Sequence, residues 1–152
     1  LGAGAWNGCD GGLSALLSRV YGVRRLGIDF VACPRHADGV VVATPTGSTA
    51  YSFSAGGSIL DPRLRNMVIT PVAAYLSPLH SVVAGEDHEV DLTLREAHDG
   101  ALVSLDGQVD LPMRIGDRVE VRALPEPMRL IQPTGSTPFY DLLRTKASLL
   151  PY

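Results

Sequence analysis

An acidic residue, Asp38, stands directly before a short apolar run, Val40 to Ala43, and that run opens into a loop of small polar residues. Eleven of the fourteen residues from Thr44 to Gly57 are Gly, Ser, Thr or Ala. So little side-chain bulk leaves backbone N–H and C=O groups within reach of a polar ligand. Ser48 or Thr49 could cap a short helical turn there, leaving amides to meet an anion or a base edge. The carboxylate of Asp38 could accept hydrogen bonds from a ligand amide or a ribose, and the Tyr51 ring could stack on a base. Plainer readings exist for each: an Asp-Gly turn closed on its own backbone, a surface turn between strands, and ordinary core packing for Tyr51 and Phe53. Composition alone favours the turn.

The order of residues adds to this. Asp38 to Gly57 resembles the signature of NAD kinases, which phosphorylate the 2′-hydroxyl of the adenosine ribose of NAD, and the agreement holds over about twenty positions, far more specific than a short glycine motif. Asp61-Pro62, Met67 to Pro71, Ser104 to Gln108, Gly116-Asp117, and Phe139-Tyr140 with Leu142, Leu143 and Arg144 continue the pattern. Residues 35–148 are thus similar to the carboxy-terminal part of such an enzyme. The resemblance implies that Asp38 binds the nicotinamide end of the dinucleotide. It further implies that Thr49, Ala50 and Tyr51 hold the adenine and its ribose, with Ser52, Phe53 and Ser54 completing the contacting segment. His36 falls where the family often has a basic residue reaching a ligand in a neighbouring subunit, and Gln108 matches a position that contacts the dinucleotide. For His36 a plain surface residue is the alternative, and for Gln108 a polar strand residue after a turn. Family membership implies NAD and NADP as substrate and product, ATP or polyphosphate with Mg for the full enzyme, and a homo-oligomer, either a dimer or a tetramer.

One family element is missing from these residues. The Gly-Gly-Asp-Gly-Thr loop, whose Asp is taken as the base for the ribose hydroxyl, does not occur in the sequence. Phosphoryl transfer needs a positioned nucleophile and groups that neutralise the triphosphate. No glycine-rich loop followed by Lys and no cluster of carboxylates suits that task, so no catalytic residue is assigned and the isolated chain is expected to be inactive. Two rivals stay open: a non-catalytic dinucleotide-binding or oligomerisation module, and the β domain of a related diacylglycerol or sphingosine kinase. The small polar loop argues against an acyl-chain pocket.

The bulk composition narrows the partners. At 152 residues, 45% hydrophobic and 19% charged, the chain suits one globular domain. A net charge of −3 with no basic face argues against nucleic acid. No apolar run approaches the roughly 18 residues of a membrane span, and no signal peptide is legible, which leads to a cytoplasmic expectation. Cys9 and Cys33 are expected to stay reduced. His36, His80, His88 and His98 lie too far apart in sequence for a zinc site, so no metal ligand is assigned.

The elements that must position the loop read mostly as strands. Val40 to Ala43 and Met67 to Thr70 are short apolar runs bounded by turn residues, and Ser81 to Ala84 is a weaker candidate. Glu89 to Leu94 alternates. His98-Asp99-Gly100 turns the chain into Ala101 to Leu105, and Asp106-Gly107 signals a hairpin into Gln108 to Leu111. Val119 and Val121 face inward from Arg118 to Ala123, and Met128 to Gln132 reads as one more strand. Near the end, Thr137 as cap, Pro138 in first position, and Phe139, Leu142, Leu143 and Ala147 at helical spacing predict a helix. A second helix is expected over Leu13 to Val20, ended by Gly22. The expected fold is mainly β: a multi-stranded, β-sandwich-like domain with a short carboxy-terminal helix. Residues 1–34 read as a divergent or truncated amino-terminal segment, with Asn7 in the place of a family Asn and Gly8 replacing its acidic partner. Residues 35–152 read as the β domain. Pro45 to Thr49 recurs as Pro133 to Thr137, read as a capping turn alike by coincidence.

Overall fold

The computed structural model describes residues 14–20, 23–32, 37–73, 80–97 and 100–147. Asn7, Cys9, Cys33, His36 and the 98–99 part of the expected turn lie outside them. Nine strands appear among the described residues: β1 (Ser14–Val20), β2 (Val23–Ala32), β3 (Gly39–Ala43), β4 (Met67–Val72), β5 (Val82–Ala84), β6 (His88–Ala97), β7 (Ala101–Leu105), β8 (Val109–Met113) and β9 (Arg118–Arg122). Two helices join them, α1 (Tyr51–Ser54) and α2 (Phe139–Ala147), with a 3₁₀ turn over Thr46–Thr49.

The strands form a four-stranded sheet in the order β1-β2-β6-β9, a three-stranded sheet β3-β4-β5 and a β7-β8 hairpin. All pairings are antiparallel except β2 with β6, which run parallel. A parallel pair needs a long crossover. Here the crossover carries the whole three-stranded sheet and the signature loop.

The core lies between the two larger sheets. Met67, Ile69 and Ala84 are buried on one side and Val90 on the other, with Val40, Val42, Val82, Leu92 and Val121 packed against them. Alternation along β3 and β9 sends these valines inward, as their period of two requires. β4 is the central strand of its sheet and is buried on both faces. Met67 and Ile69 face the core, while Val68 and Thr70, both without exposed surface, point the other way. That second face supports the loop.

Charged pairs set the register at the edges. The Arg118 guanidinium on β9 donates through Nε (3.2 Å) and Nη2 (2.9 Å) to Asp91 Oδ1 on β6. Arg65, just before β4, pairs with Glu86 at 2.8 Å and donates to the carbonyls of Leu124 and Pro125, tying down the chain after β9.

The mainly β fold with a short carboxy-terminal helix is as expected, and three local readings are corrected. The helix expected over Leu13 to Val20 is replaced, over its described residues, by a strand: Ser14–Val20 is β1, paired residue for residue with β2 from Ser14↔Asp29 to Val20↔Val23. An isolated eight-residue helix is marginal, whereas the ten-residue β2 offers a complete ladder. Met128 to Gln132 forms no strand. No described strand presents a ladder to it, and Ile131 is 97% exposed. The start of α2 is one residue later than predicted, since the Pro138 carbonyl accepts the Leu142 N–H at 3.0 Å and so takes the cap position given to Thr137.

Candidate functional site

The loop leaves β3 at Ala43 and bends at once. Thr44 Oγ1 accepts the Gly47 N–H at 3.2 Å, and the Pro45 carbonyl accepts both the backbone N–H (3.2 Å) and the hydroxyl (2.6 Å) of Ser48. The Thr49 hydroxyl returns in the same way to the Thr46 carbonyl at 3.3 Å. Ser48 and Thr49 therefore do not cap a helix as expected. Their hydroxyls close the 3₁₀ turn from inside it, a local bond small hydroxyl side chains make readily. Ala50 breaks the turn, and its carbonyl accepts the Ser54 N–H to begin α1.

The inner side of the loop is held by a few buried polar contacts. Ser48, with no exposed surface, also accepts the Leu60 N–H on Oγ at 2.9 Å, which pins the start of the loop to its return. Ser52, equally buried, shares a hydrogen bond of 2.9 Å with Thr70 on the back of β4. Gly57 lies against that pair, and its N–H donates to the Ser52 carbonyl at 2.8 Å. A β-carbon at Gly57 would run into Ser52 Oγ and Thr70 Oγ1, so only glycine fits this approach. No buried side-chain oxygen or nitrogen among the described residues is left without a partner.

The outer side is open. Thr49, Ala50 and Ser54 are exposed, Tyr51 is 62% exposed and Phe53 43%. Phe53 is thus not a core residue. These five positions, expected at the adenine end, lie together on one short stretch. Ser52 belongs to the same stretch, but its side chain faces inward and is engaged by Thr70.

Asp38 lies at the opposite end of β3. Its backbone N–H donates to the Val72 carbonyl at 2.9 Å, and its exposed carboxylate takes no hydrogen bond from the described residues. Six steps along an extended strand separate it from Thr44 by roughly 20 Å. Gln108 sits at the tip of the β7-β8 hairpin, exposed, its N–H on the Leu105 carbonyl at 2.9 Å. Asp106 (φ 51°) and Gly107 (φ 67°) are both left-handed, the conformation of a tight two-residue turn. Asp38 and the loop are therefore at opposite ends of β3, and Gln108 lies beside a separate two-stranded sheet. Among the described residues no three His, Cys, Asp or Glu side chains gather as a metal site would require.

Sequence reading missed one cluster beside the loop. Asp61 Oδ1 accepts the Arg63 backbone N–H and Nε, both at 2.9 Å, and Oδ2 accepts Arg63 Nη2 at 2.7 Å and the Tyr140 hydroxyl at 2.8 Å. The Arg63 hydrogen bonds, with help from Tyr140, hold the Asp61 carboxyl far below the usual carboxylate range. Its bond to Asp61 raises the Tyr140 phenol above its ordinary value. Asp61 follows the signature and Tyr140 opens the helix, but nothing in their spacing announces that they meet.

The sequence of this β-rich domain is similar to that of known proteins over most of its length. Residues 24–133 match the ATP-NAD kinase C-terminal domain. The NAD kinase of Chloroflexus aurantiacus is 42% identical over 127 residues, covering 84% of this chain and 46% of the relative. That of Carboxydothermus hydrogenoformans is 40% identical over 110 residues, 72% of this chain and 39% of its own length. NAD kinase 1 of Streptomyces avermitilis is 41% identical over 113 residues, covering 74% and 31%. The chain belongs to the ATP-NAD kinase C-terminal domain family, and it spans less than half the length of these relatives.

Proposed function

We propose that the loop from Thr44 to Gly57 binds the adenosine end of NAD or NADP, and that this chain is the dinucleotide-binding part of an NAD kinase. The observation that carries the reading is the two-sided loop. Its inner hydroxyls are consumed by Pro45, Leu60 and Thr70, while Thr49, Ala50, Tyr51, Phe53 and Ser54 are exposed among the described residues. Tyr51 stacks on the adenine, and the exposed hydroxyls and carbonyls of 49–54 meet the base edge and ribose. Asp38 accepts from the nicotinamide carboxamide or its ribose, at the far end of an extended ligand. His36 and Gln108 complete the set as groups reaching the same ligand or one bound to a second copy. An exposed apolar hairpin, with Leu102, Leu105, Val109 and Leu111 each about half exposed, supports a homo-oligomer.

In the whole enzyme the 2′-hydroxyl oxygen of the adenosine ribose attacks the terminal phosphorus of ATP or polyphosphate. The bond to the bridging oxygen breaks, and the hydroxyl proton passes to a base. This chain's part is to bind and orient the acceptor. The base, the Mg ligands and the donor site have no candidates among the described residues and come from elsewhere in the enzyme. No helix among the described residues is long and apolar enough to cross a membrane, and a cytoplasmic setting fits a substrate of that compartment.

The test is thermal. At a hundredfold excess over its dissociation constant, NADP stabilises its target by about 2.7 kcal/mol, an upward melting shift of roughly 6–10 °C for a domain of this size. Asp38→Ala and Tyr51→Ala each reduce that shift. A wild-type chain whose melting is indifferent to NAD and NADP contradicts the reading, as does robust NAD phosphorylation by the isolated chain for the statement that its base lies elsewhere.

A further inference from the structure

The hydrogen bond from Tyr140 to Asp61 joins residues 79 apart in sequence, and it lands next to the ligand loop. The Asp61 side chain is only 12% exposed, and all four hydrogen bonds to its carboxylate come from Arg63 and Tyr140. The residue before it, Leu60, is buried and gives its N–H to Ser48 Oγ. The pair 60–61 is thus gripped twice, inward by the serine that fixes the 3₁₀ turn and outward by the first turn of α2. Tyr140 is seated by an edge-on contact with the Phe139 ring at 5.2 Å between centroids. The match to the family domain ends at 133, before α2, although Phe139 and Tyr140 belong to the run of residues that resembles the family.

The geometry points to Tyr140 as a positioning residue for dinucleotide capture, its hydroxyl docking α2 on Asp61 and thereby holding Ser48 and the loop that presents Thr49, Ala50 and Tyr51. This rests on the reading of the loop as the adenine site. Removing the hydroxyl leaves the Asp61 carboxylate to Arg63, and α2 loses its hydrogen bond to the chain that returns from the loop. Coupling is reciprocal, so an occupied loop also tightens α2.

Tyr140→Phe keeps the ring and its contact with Phe139 and deletes only the donor. Calorimetric titration of the full chain with NADP is expected to show a dissociation constant raised roughly threefold to tenfold, the range for mutations that act through an intermediate contact. Asp61→Ala gives the same loss, the double variant is no worse than either single one, and Asp61→Asn, which still accepts from Tyr140, binds closer to wild type. Hydrogen exchange supplies a readout that a purely structural role would not move: NADP slows the α2 amides in the wild type and not in Tyr140→Phe. Unchanged affinity in Tyr140→Phe, or losses that add in the double variant, overturn the inference. A wild-type chain that binds no NADP overturns the adenine-site reading instead. The positioning claim is then decided without ligand, by whether amides 47–52 exchange faster in Tyr140→Phe, and equal exchange rates refute it.

Discussion

The same five residues, Pro-Thr-Gly-Ser-Thr, occur at 45–49 and at 133–137, and in both the chain folds back from the serine to the proline. In each copy the serine donates twice to the proline carbonyl, from its N–H at 3.2 Å and from its hydroxyl at 2.6 Å. The copies part at the surroundings. Ser48 is fully buried and its oxygen also accepts the Leu60 N–H, whereas Ser136 is exposed and its oxygen has no second partner among the described residues. Gly135 adopts a left-handed φ of 84°, while Gly47 stays outside that region and the chain continues through its 3₁₀ turn into α1. Local sequence therefore specifies the Pro–Ser turn. What sets the first copy apart is the chain it is pinned to, with β4 beneath it and residues 57–61 returning across it.

Substitutions that attack this support should separate the copies most. Gly57→Ala forces a methyl group against the Ser52–Thr70 pair and is expected to destabilise the domain by about 3 kcal/mol, the upper end for overpacking, read by urea denaturation. Ser48→Ala leaves the Leu60 N–H buried without an acceptor, for about 2 kcal/mol. Ser136→Ala, the matching change in the exposed copy, should stay within about 0.5 kcal/mol of wild type. Equal losses in the two serine variants would dissolve the distinction between the copies.

The smallest expected effect is one of pH. Asp61 has a folded pKa below its unfolded value, so its contribution is present above the ordinary carboxylate range and lost only as pH falls through the lower folded value. Tyr140 is raised, so its contribution is complete below the ordinary phenol value and lost as pH rises through the higher folded one. The contact between them should persist from about pH 4 to pH 10. A melting profile over that range should show no step attributable to it, and Tyr140→Phe should lose the wild type's alkaline destabilisation above it.

Much of this architecture was legible in the sequence where one face of an element is buried. Val119 and Val121 face in, Glu120 and Arg122 face out, and β3 to β9 fall where alternation and turn residues put them. The exposed residues Thr49, Ala50, Tyr51, Phe53 and Ser54 stand in the stretch that the family signature names, but the inward turn of Ser52 toward Thr70 was not legible in it. Ser14–Val20 was misread because its leucines fit a helical stripe as well as a ladder, and the partner that decides, β2, lies in sequence that shows no clear period. Met128 to Gln132 has strand-like residues and pairs with no strand among the described residues. Asp61 with Tyr140, and Gly57 with Thr70, are contacts between distant segments, and pattern within either segment carries no sign of them.

The claim that the first copy alone is a ligand site can be tested inside one molecule. Backbone amide spectra of the ¹⁵N-labelled chain, titrated with NADP, should show their largest changes at Gly47, Ser48, Thr49 and Tyr51, with Gly135 and Ser136 at the level of the background. Equal changes in the two Pro-Thr-Gly-Ser-Thr turns, or none in the first at saturating NADP, would contradict it.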